Sequence, residues 1–391
     1  MFGCGTFTVL IIYTVMGPAF FIITVTMAIV LTTSFLVSAY KAELSDKTLA
    51  QDLSLIKRVY NTSAILASTP TQTDVVSYYT RTTDLDYRLL ELFVGPGLHT
   101  RLCAAHPILT HTGNARQVMY VLNAIAGVHA LNAGSGNQVA KEPSTAPPKT
   151  CVLEIGFGRG YCTLLLAGLL PVSDFEFHGL DIVERHVNVA RANAARYPNV
   201  RFHLGDAAAT TMYEKMPSFD VIFAIESLCH MDTLERMRCF LANASKHLNP
   251  GGRLVIVDGF RSENFDQAPP DQQLAMRLAE RAFGIKRMHP MSEWIEAAYP
   301  TGLALKRLDD LTAHAIPFWT LGWRFAHAFL RHAPVWVIRR LRATPYTARS
   351  TDNLLAVATV AHAMRNRTSA VYGVMVFAKR DGQFEYAPCD C

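Results

Sequence analysis

The sequence predicts an α/β protein built on a doubly wound, mainly parallel sheet, with an apolar segment ahead of it and a helical insertion before its last strand. Three observations lead there. The apolar run Val152-Leu-Glu-Ile155 ends in a triple-glycine turn, Gly156-Phe-Gly158-Arg-Gly160. Further apolar runs follow at βαβ spacing and close on acids, at Asp181, Asp206, Glu226 and Asp258. Met1 to Tyr40 contains no Asp, Glu, Lys or Arg.

The N-terminal segment, taken first, is long enough to span a bilayer, which needs roughly 20 apolar residues. Gly17-Pro18 interrupts it, so it is either one kinked spanning helix or a re-entrant hairpin. A cleavable signal peptide wants a basic start, and no Lys or Arg precedes Lys41. Lys41, Lys47, Lys57 and Arg58 all follow the segment, which places the rest of the chain on the cytosolic side. The expectation is a membrane anchor over residues 1–45.

Residues 46–131 read as a helical cap, with amphipathic helices over Leu49–Leu66 and Val75–Leu92, the second carrying Tyr78, Tyr79 and Tyr87. Gly, Ser, Asn and Pro dominate residues 132–150, a flexible loop before the first strand. Residues 151–261 hold the core. There Val152–Ile155 runs into the glycine turn, whose residues tolerate positive φ and leave room for a ligand to approach the backbone. A helix starts at about Tyr161. The strand 174–181 ends in Asp181, the strand from Val200 runs to Asp206, the strand from Phe219 runs to Glu226, and a turn at Pro250-Gly-Gly252 leads to a strand ending at Asp258. A parallel sheet brings such strand ends to one rim.

Residues 262–380 are expected to carry the lid and the last strands. Gln272–Gly284 has helical periodicity and the run from Leu305 reads as a strand. Pro317–Arg349 combines Trp319, Trp323 and Trp336 with Arg324, Arg331, Arg339, Arg340, Arg342 and Arg349 and contains no acid. Two readings of this stretch stay open: a bilayer-interface helix with rings at headgroup depth, or a lid packed on its own domain. No RNA-binding module accompanies it, and a net charge of +5 over 391 residues is no nucleic-acid signature, so no nucleic-acid partner is expected. The cysteines form no C-x-x-C pair, which favours reduced thiols. Cys389-Asp-Cys391 in the tail, 381–391, falls short of the four ligands of a structural site, and no metal is expected.

The glycine turn is G-x-G-x-G, not the G-x-G-x-x-G that aims a helix at a pyrophosphate, and this argues against a nicotinamide oxidoreductase. Together with Glu154, Asp181 and Asp206 it resembles the class I S-adenosylmethionine-dependent methyltransferases over roughly Ser77–Arg261 and Tyr372–Lys379. Glu226-Ser-Leu-Cys-His-Met231, Tyr78-Tyr79 and Asp84-Leu-Asp-Tyr87 are more loosely similar to the small-molecule and lipid methyltransferases, such as the tocopherol and sterol enzymes. Where the sterol enzymes show an aromatic, glycine-rich stretch, this chain has Leu89–Gly97. The resemblance implies a seven-stranded Rossmann-like sheet and S-adenosyl-L-methionine as cofactor. It places Glu154, Gly156, Gly158 and Gly160 at the amino-acid end of the cofactor, Asp181 with Ile182 at the ribose, Asp206 with Ala207 at adenine, and Glu226 to His230 beside the reacting methyl.

The expected activity is methyl transfer to a lipophilic small molecule, a quinone, prenyl-lipid, sterol-like or fatty-acid-like acceptor reached from the membrane. A tethered enzyme for a soluble acceptor and a non-catalytic cofactor-binding scaffold are the alternatives. For a hydroxyl acceptor His230 is the first candidate base, since an unperturbed imidazole titrates near neutrality, and Glu226 the second. For a carbon acceptor Glu226 would stabilise a developing cation. Tyr78, Tyr79, Tyr87 and His99 are candidates for the acceptor pocket.

Overall fold

The computed structural model describes residues 32–80, 100, 102, 113–134, 149–214 and 216–380. Helix α1 covers residues 32–41, followed by α2 (Asp46–Val59), α3 (Thr62–Ala67), α4 (Gln72–Thr80) and α5 (Gly113–Gly134). The core then alternates as β1 (Thr150–Ile155), α6 (Tyr161–Leu169), β2 (Phe175–Asp181), α7 (Glu184–Asn193), β3 (Val200–Leu204), β4 (Phe219–Ile225), α8 (Leu234–His247) and β5 (Leu248–Arg261). It finishes with α9 (Pro270–Ala282), α10 (Met291–Ala298), β6 (Leu303–Asp310), α11 (Thr312–His332), α12 (Val335–Ala343), α13 (Pro345–Met364) and β7 (Ala370–Lys379).

The seven strands form one sheet in the order β3-β2-β1-β4-β5-β7-β6. All neighbours are parallel except β7, which pairs antiparallel with β5 and β6. Strand order reverses between β1 and β4, and such a switch point opens a crevice beyond the carboxyl ends of the strands. Every residue of β4 is buried, as a continuous apolar run at the centre of a parallel sheet requires. Alternation along the strands builds two cores. Val152, Val221, Phe223 and Val255 pack with Val121 and Ile125 of α5, while Leu153, Ile222, Leu254 and Ile256 pack with Met237 and Phe240 of α8 and Trp294 of α10.

Several boundaries differ from the sequence reading. The single helix expected over Leu49–Leu66 is two: Tyr60 is extended, with its hydroxyl donating to the Thr351 carbonyl, and the Asn61 side chain caps α3 by accepting from Ala64 N. The helix expected from Val75 begins at Gln72, and its course beyond Thr80, with Tyr87 and His99, lies outside the described residues. The loop expected from 132 yields to α5 as far as Gly134, and Thr150 already belongs to β1. The helical cap is also not a unit of its own. Leu49, Leu53 and Ile56 of α2 share a core with Ala275 and Leu278 of α9, Ala326 and Leu330 of α11 and Leu355 of α13, so N- and C-terminal helices form one layer.

Asp52 lies at the centre of that layer. Fully buried on the apolar stripe of α2, it accepts from Trp323 Nε1 at 2.8 Å and pairs with His327 Nδ1 at 2.6 Å and His362 Nε2 at 3.0 Å. Of the two readings of Pro317–Arg349, the packed lid describes most of the stretch. Trp323 is buried, Arg324 Nε donates to the Ala42 carbonyl, Arg339 donates to the Arg58 carbonyl and Arg342 lies over the Tyr60 ring. Trp336 alone of the three tryptophans projects outward, 71 % exposed.

Among the described residues no helix is long and apolar enough to cross a membrane. Residues 1–31, most of the expected anchor, lie outside them. Cys151, Cys162 and Cys229 form no disulfide, whereas Cys239 is disulfide-bonded, a departure from a fully reduced set.

Candidate active site

The glycine turn leaves β1 with Gly156, Gly158 and Gly160 all at positive φ. Gly156 also has no room for a side chain: a Cβ there would lie 2.3 Å from Ser227 Cβ, on a residue whose hydroxyl donates to the Ile155 carbonyl. Gly158 N donates to Asp181 Oδ2 at 2.8 Å, tying the turn to the end of β2. Gly156, Gly158, Asp181 and Ile182 line a cavity of about 1510 Å³ over the crevice.

Glu154 and Gly160 stand behind that wall instead of in it. Glu154 is buried, and its carboxylate accepts from Thr163 N at 2.9 Å and from the Thr163 hydroxyl, fastening β1 to the first turn of α6. Burial pushes its carboxyl up to about 8 against the pull of the Thr163 bonds. Gly160 is the N-cap of α6, where a Cβ would meet Phe202 Cζ at 2.8 Å. Both residues hold the turn, and neither is among the residues that line the cavity.

Asp181 Oδ1 accepts from Val183 N at 2.8 Å, and Oδ2 faces His186 Nδ1 at 3.4 Å as well as Gly158 N. At the end of β3, Asp206 and the buried Ala207 line the same cavity. The Asp206 carboxylate is heavily engaged: Oδ1 accepts from Ala208 N and Arg236, Oδ2 from Arg236 and from Gln72 Nε2 at 2.7 Å. An adenine amino group directed at this carboxylate would therefore compete with Gln72 and Arg236. The sequence reading singled out neither residue.

Beyond β4, Glu226 holds a left-handed backbone, φ 51°, which is costly for a residue other than glycine and turns its side chain toward three donors. Its Oε1 accepts from Thr100 N at 2.8 Å, Gln117 Nε2 at 3.1 Å and Tyr372 Oη at 2.6 Å. Asp258 at the rim of β5 is buried, accepts from Cys229 N and Gly259 N, and is pushed up to about 7 by burial and by the Glu226 carboxylate. His230 Nε2 lies 3.0 Å from Tyr79 Oη, and Nδ1 has no hydrogen-bond partner among the described residues. Burial pushes the imidazole down to about 4. The His230 imidazole is thus held below the near-neutral range expected of it, and Asp258 is the cavity-lining carboxyl raised toward neutrality.

Tyr78 and Tyr79 both line the cavity, their rings 4.7 Å apart and edge-on, with Tyr79 reaching His186 at 5.2 Å. From this polar floor the cavity continues between helices, past Met276, Phe283, Trp319 and Val357. Among the described residues no group of His, Cys, Asp or Glu is placed to hold a metal ion.

Residues 152–252 match the family described as methyltransferase domain. An O-methyltransferase of Penicillium expansum is 37 % identical over 130 residues, 33 % of this chain and 44 % of the relative. Over residues 152–252 the chain carries a methyltransferase domain. The 2-methyl-6-phytyl-1,4-hydroquinone methyltransferase of Synechocystis is 28 % identical over 210 residues, 51 % of the chain and 59 % of the relative. The chain thus spans about half the length of the curated relatives it matches. The cyclopropane synthase MmaA2 of Mycobacterium tuberculosis shares the fold, with a TM-score of 0.58 at 17 % identity over 80 % of this chain and all of that one. The cofactor that the resemblance implies is S-adenosylmethionine. The rim suits it: Gly158 at positive φ leaves the backbone open, and Asp181 Oδ1 keeps acceptor capacity for a hydroxyl beside its bond from Val183 N.

Proposed function

We propose that the protein is a methyltransferase that moves a methyl group from S-adenosylmethionine to a lipophilic small molecule of the quinone, prenyl-lipid, sterol-like or fatty-acid-like kind. One observation carries the reading. The cavity bounded by Asp181 and Gly158 at its polar rim is the same cavity that Phe283, Trp319, Val357 and Val360 line between the helices, so cofactor rim and apolar chamber are continuous. The similarity to a phytyl-hydroquinone methyltransferase supports an acceptor with an apolar tail.

The cofactor, when bound, supplies an electrophilic methyl on a sulfonium that is already a good leaving group. What the chain contributes is placement, an apolar enclosure that excludes water, and management of charge. For a hydroxyl acceptor, Asp258 takes the proton, being half ionised near neutrality. For a carbon acceptor, the Glu226 carboxylate, held by Tyr372 and Gln117, faces the developing cation. The proposal includes anchoring through residues 1–45 with the catalytic domain toward the cytosol, from the charge-free segment and the cations that follow it.

The test is calorimetry on the full chain in detergent with S-adenosylmethionine and with NADH, followed by transfer of labelled methyl to lipid and aqueous extracts. Asp181→Ala is expected to weaken S-adenosylmethionine at least about tenfold, ~1.4 kcal/mol, and label is expected in the lipid extract. Label confined to the aqueous extract would replace the lipophilic acceptor with a soluble one. Cofactor binding with no transfer to either would leave a scaffold.

A further inference from the structure

We propose that the acceptor's apolar tail passes between bilayer and cavity sideways, through a portal between α11 and α13 at Phe325, directly at the foot of the charge-free N-terminal segment. The proposal rests on the lipophilic-acceptor reading and specifies its route. Phe318, Leu321 and Phe325 of α11 line the cavity at three- and four-residue spacing, and so do Asn353, Val357, Val360 and Met364 of α13. Each set is one helix face, so the two helices form opposite walls. From Met364 to Asn353 the α13 wall runs eleven positions, about 16 Å at 1.5 Å per residue.

Phe325 is both a wall residue and 43 % exposed, so the cavity reaches the surface there. The ring that meets it outside is Phe35 of α1, with centroids 6.3 Å apart. Helix α1 is the end of the segment Met1–Tyr40, which carries no charged side chain, and it presents Leu36, Val37 and Tyr40 outward. Arg324, the neighbour of Phe325, fixes the far end of α1 by donating to the Ala42 carbonyl. The portal therefore lies where an apolar segment meets the folded domain.

Its surroundings suit a bilayer surface. Trp336 is 71 % exposed on α12, and Arg331, Arg339 and Arg340 are exposed on the same acid-free stretch. An exposed aromatic ring and exposed cations on one acid-free stretch fit the headgroup region. The remote rim of the cavity has the opposite character, with Asp181, Asp206 and Arg236 suited to a water-soluble cofactor. A tail that slides in at Phe325 is never transferred through water, where each exposed methylene would oppose its passage.

The experiment uses the full chain in phosphatidylcholine vesicles on a Trp336→Phe background, with a chain-brominated sixteen-carbon fatty acid as the probe. Bromine quenches tryptophan on contact, so loss of the Trp319 signal reports a tail in the chamber; Trp319→Phe identifies that signal. Phe325→Asp and Phe35→Asp place a carboxylate on either side of the portal, at two independent positions. Quenching is expected to slow tenfold or more in each, with S-adenosylmethionine affinity within twofold of the parent. Unchanged quenching rates with cofactor affinity retained would overturn the portal and leave the lipophilic acceptor standing. No quenching of Trp319 in the parent, with the cofactor bound, would overturn both.

Discussion

Tyr79 Oη and His230 Nε2 are 3.0 Å apart, a contact that joins helix α4 to the loop after β4 across 151 positions of sequence. It is the one hydrogen bond the His230 ring makes among the described residues, because Nδ1 is buried without a partner. A neutral histidine so placed holds the Tyr79 ring against the cavity. Tyr79→Phe and His230→Ala are therefore expected to reduce methyl transfer by similar factors, and the double variant to lose no more than the worse single one. Additive losses in a double-mutant cycle on transfer rate, with no coupling of the order of 0.5 kcal/mol or more, would show that the two act separately.

The pH dependence of the rate separates His230 from Asp258. Burial pushes His230 down to about 4, so it stays uncharged from mildly acidic pH upward and contributes no ionisation step near neutrality. Burial and Glu226 push Asp258 up to about 7, so its basic form accumulates as pH rises through that value. For a hydroxyl acceptor the rate is expected to rise with pH around 7, to keep that inflection in His230→Asn, and to lose it in Asp258→Asn together with about a hundredfold in rate. An inflection that disappears with His230 instead would return the base to the imidazole.

The rim of this site is legible in the sequence, and its floor is not. Asp181 and Asp206 end apolar runs, and a parallel sheet places such ends together, so their positions follow from pattern. Glu154 sits in the same pattern but two positions lower in the sheet, level with Gly179 instead of Asp181, and its carboxylate is taken up by Thr163 on the first turn of α6. The groups that hold Glu226 come from far away: Gln117 is 109 positions distant and Tyr372 is 146. No local periodicity encodes such meetings. The same holds for Gln72 at Asp206, 134 positions apart, and for the depressed His230, whose titration is set by how much chain covers it. Trp319 and Trp323 illustrate the helical insertion, where one turn of helix separates a cavity wall from a buried anchor on Asp52.

Glu154 gives the fold a pH dependence of its own. Its folded pKa, about 8, lies above the ordinary glutamate value, so the folded chain binds the proton more tightly than the unfolded one. Its effect is least costly below the unfolded value and grows more unfavourable as pH rises from about 4.3 toward 8, where stability falls. Glu154→Gln, which cannot ionise and still offers an acceptor to Thr163, is expected to flatten that part of the profile. Urea midpoints measured at pH 5.5 and 8 decide it: an equal drop in both proteins would remove Glu154 as the source.

Asp52 is the strongest prediction for the helical layer, because among the described residues it alone bonds to side chains of both α11 and α13 from α2. Burial pushes its carboxyl up, but the bonds from His327, His362 and Trp323 prevail and hold it below the usual range, so the charged form is the native one. Asp52→Ala leaves those three groups buried with a partner removed, and a broken buried network of this kind costs about 3 kcal/mol or more. Asp52→Asn keeps one acceptor and is expected to cost less. Since α11 and α13 form the chamber walls, the alanine variant is also expected to lose acceptor turnover while the sheet, and with it S-adenosylmethionine binding, survives. Urea unfolding followed by tryptophan emission, alongside calorimetry of the cofactor, tests both halves: a variant as stable as the parent would reduce the cluster to incidental packing, and loss of cofactor binding in step with stability would mean that helical layer and sheet unfold as one.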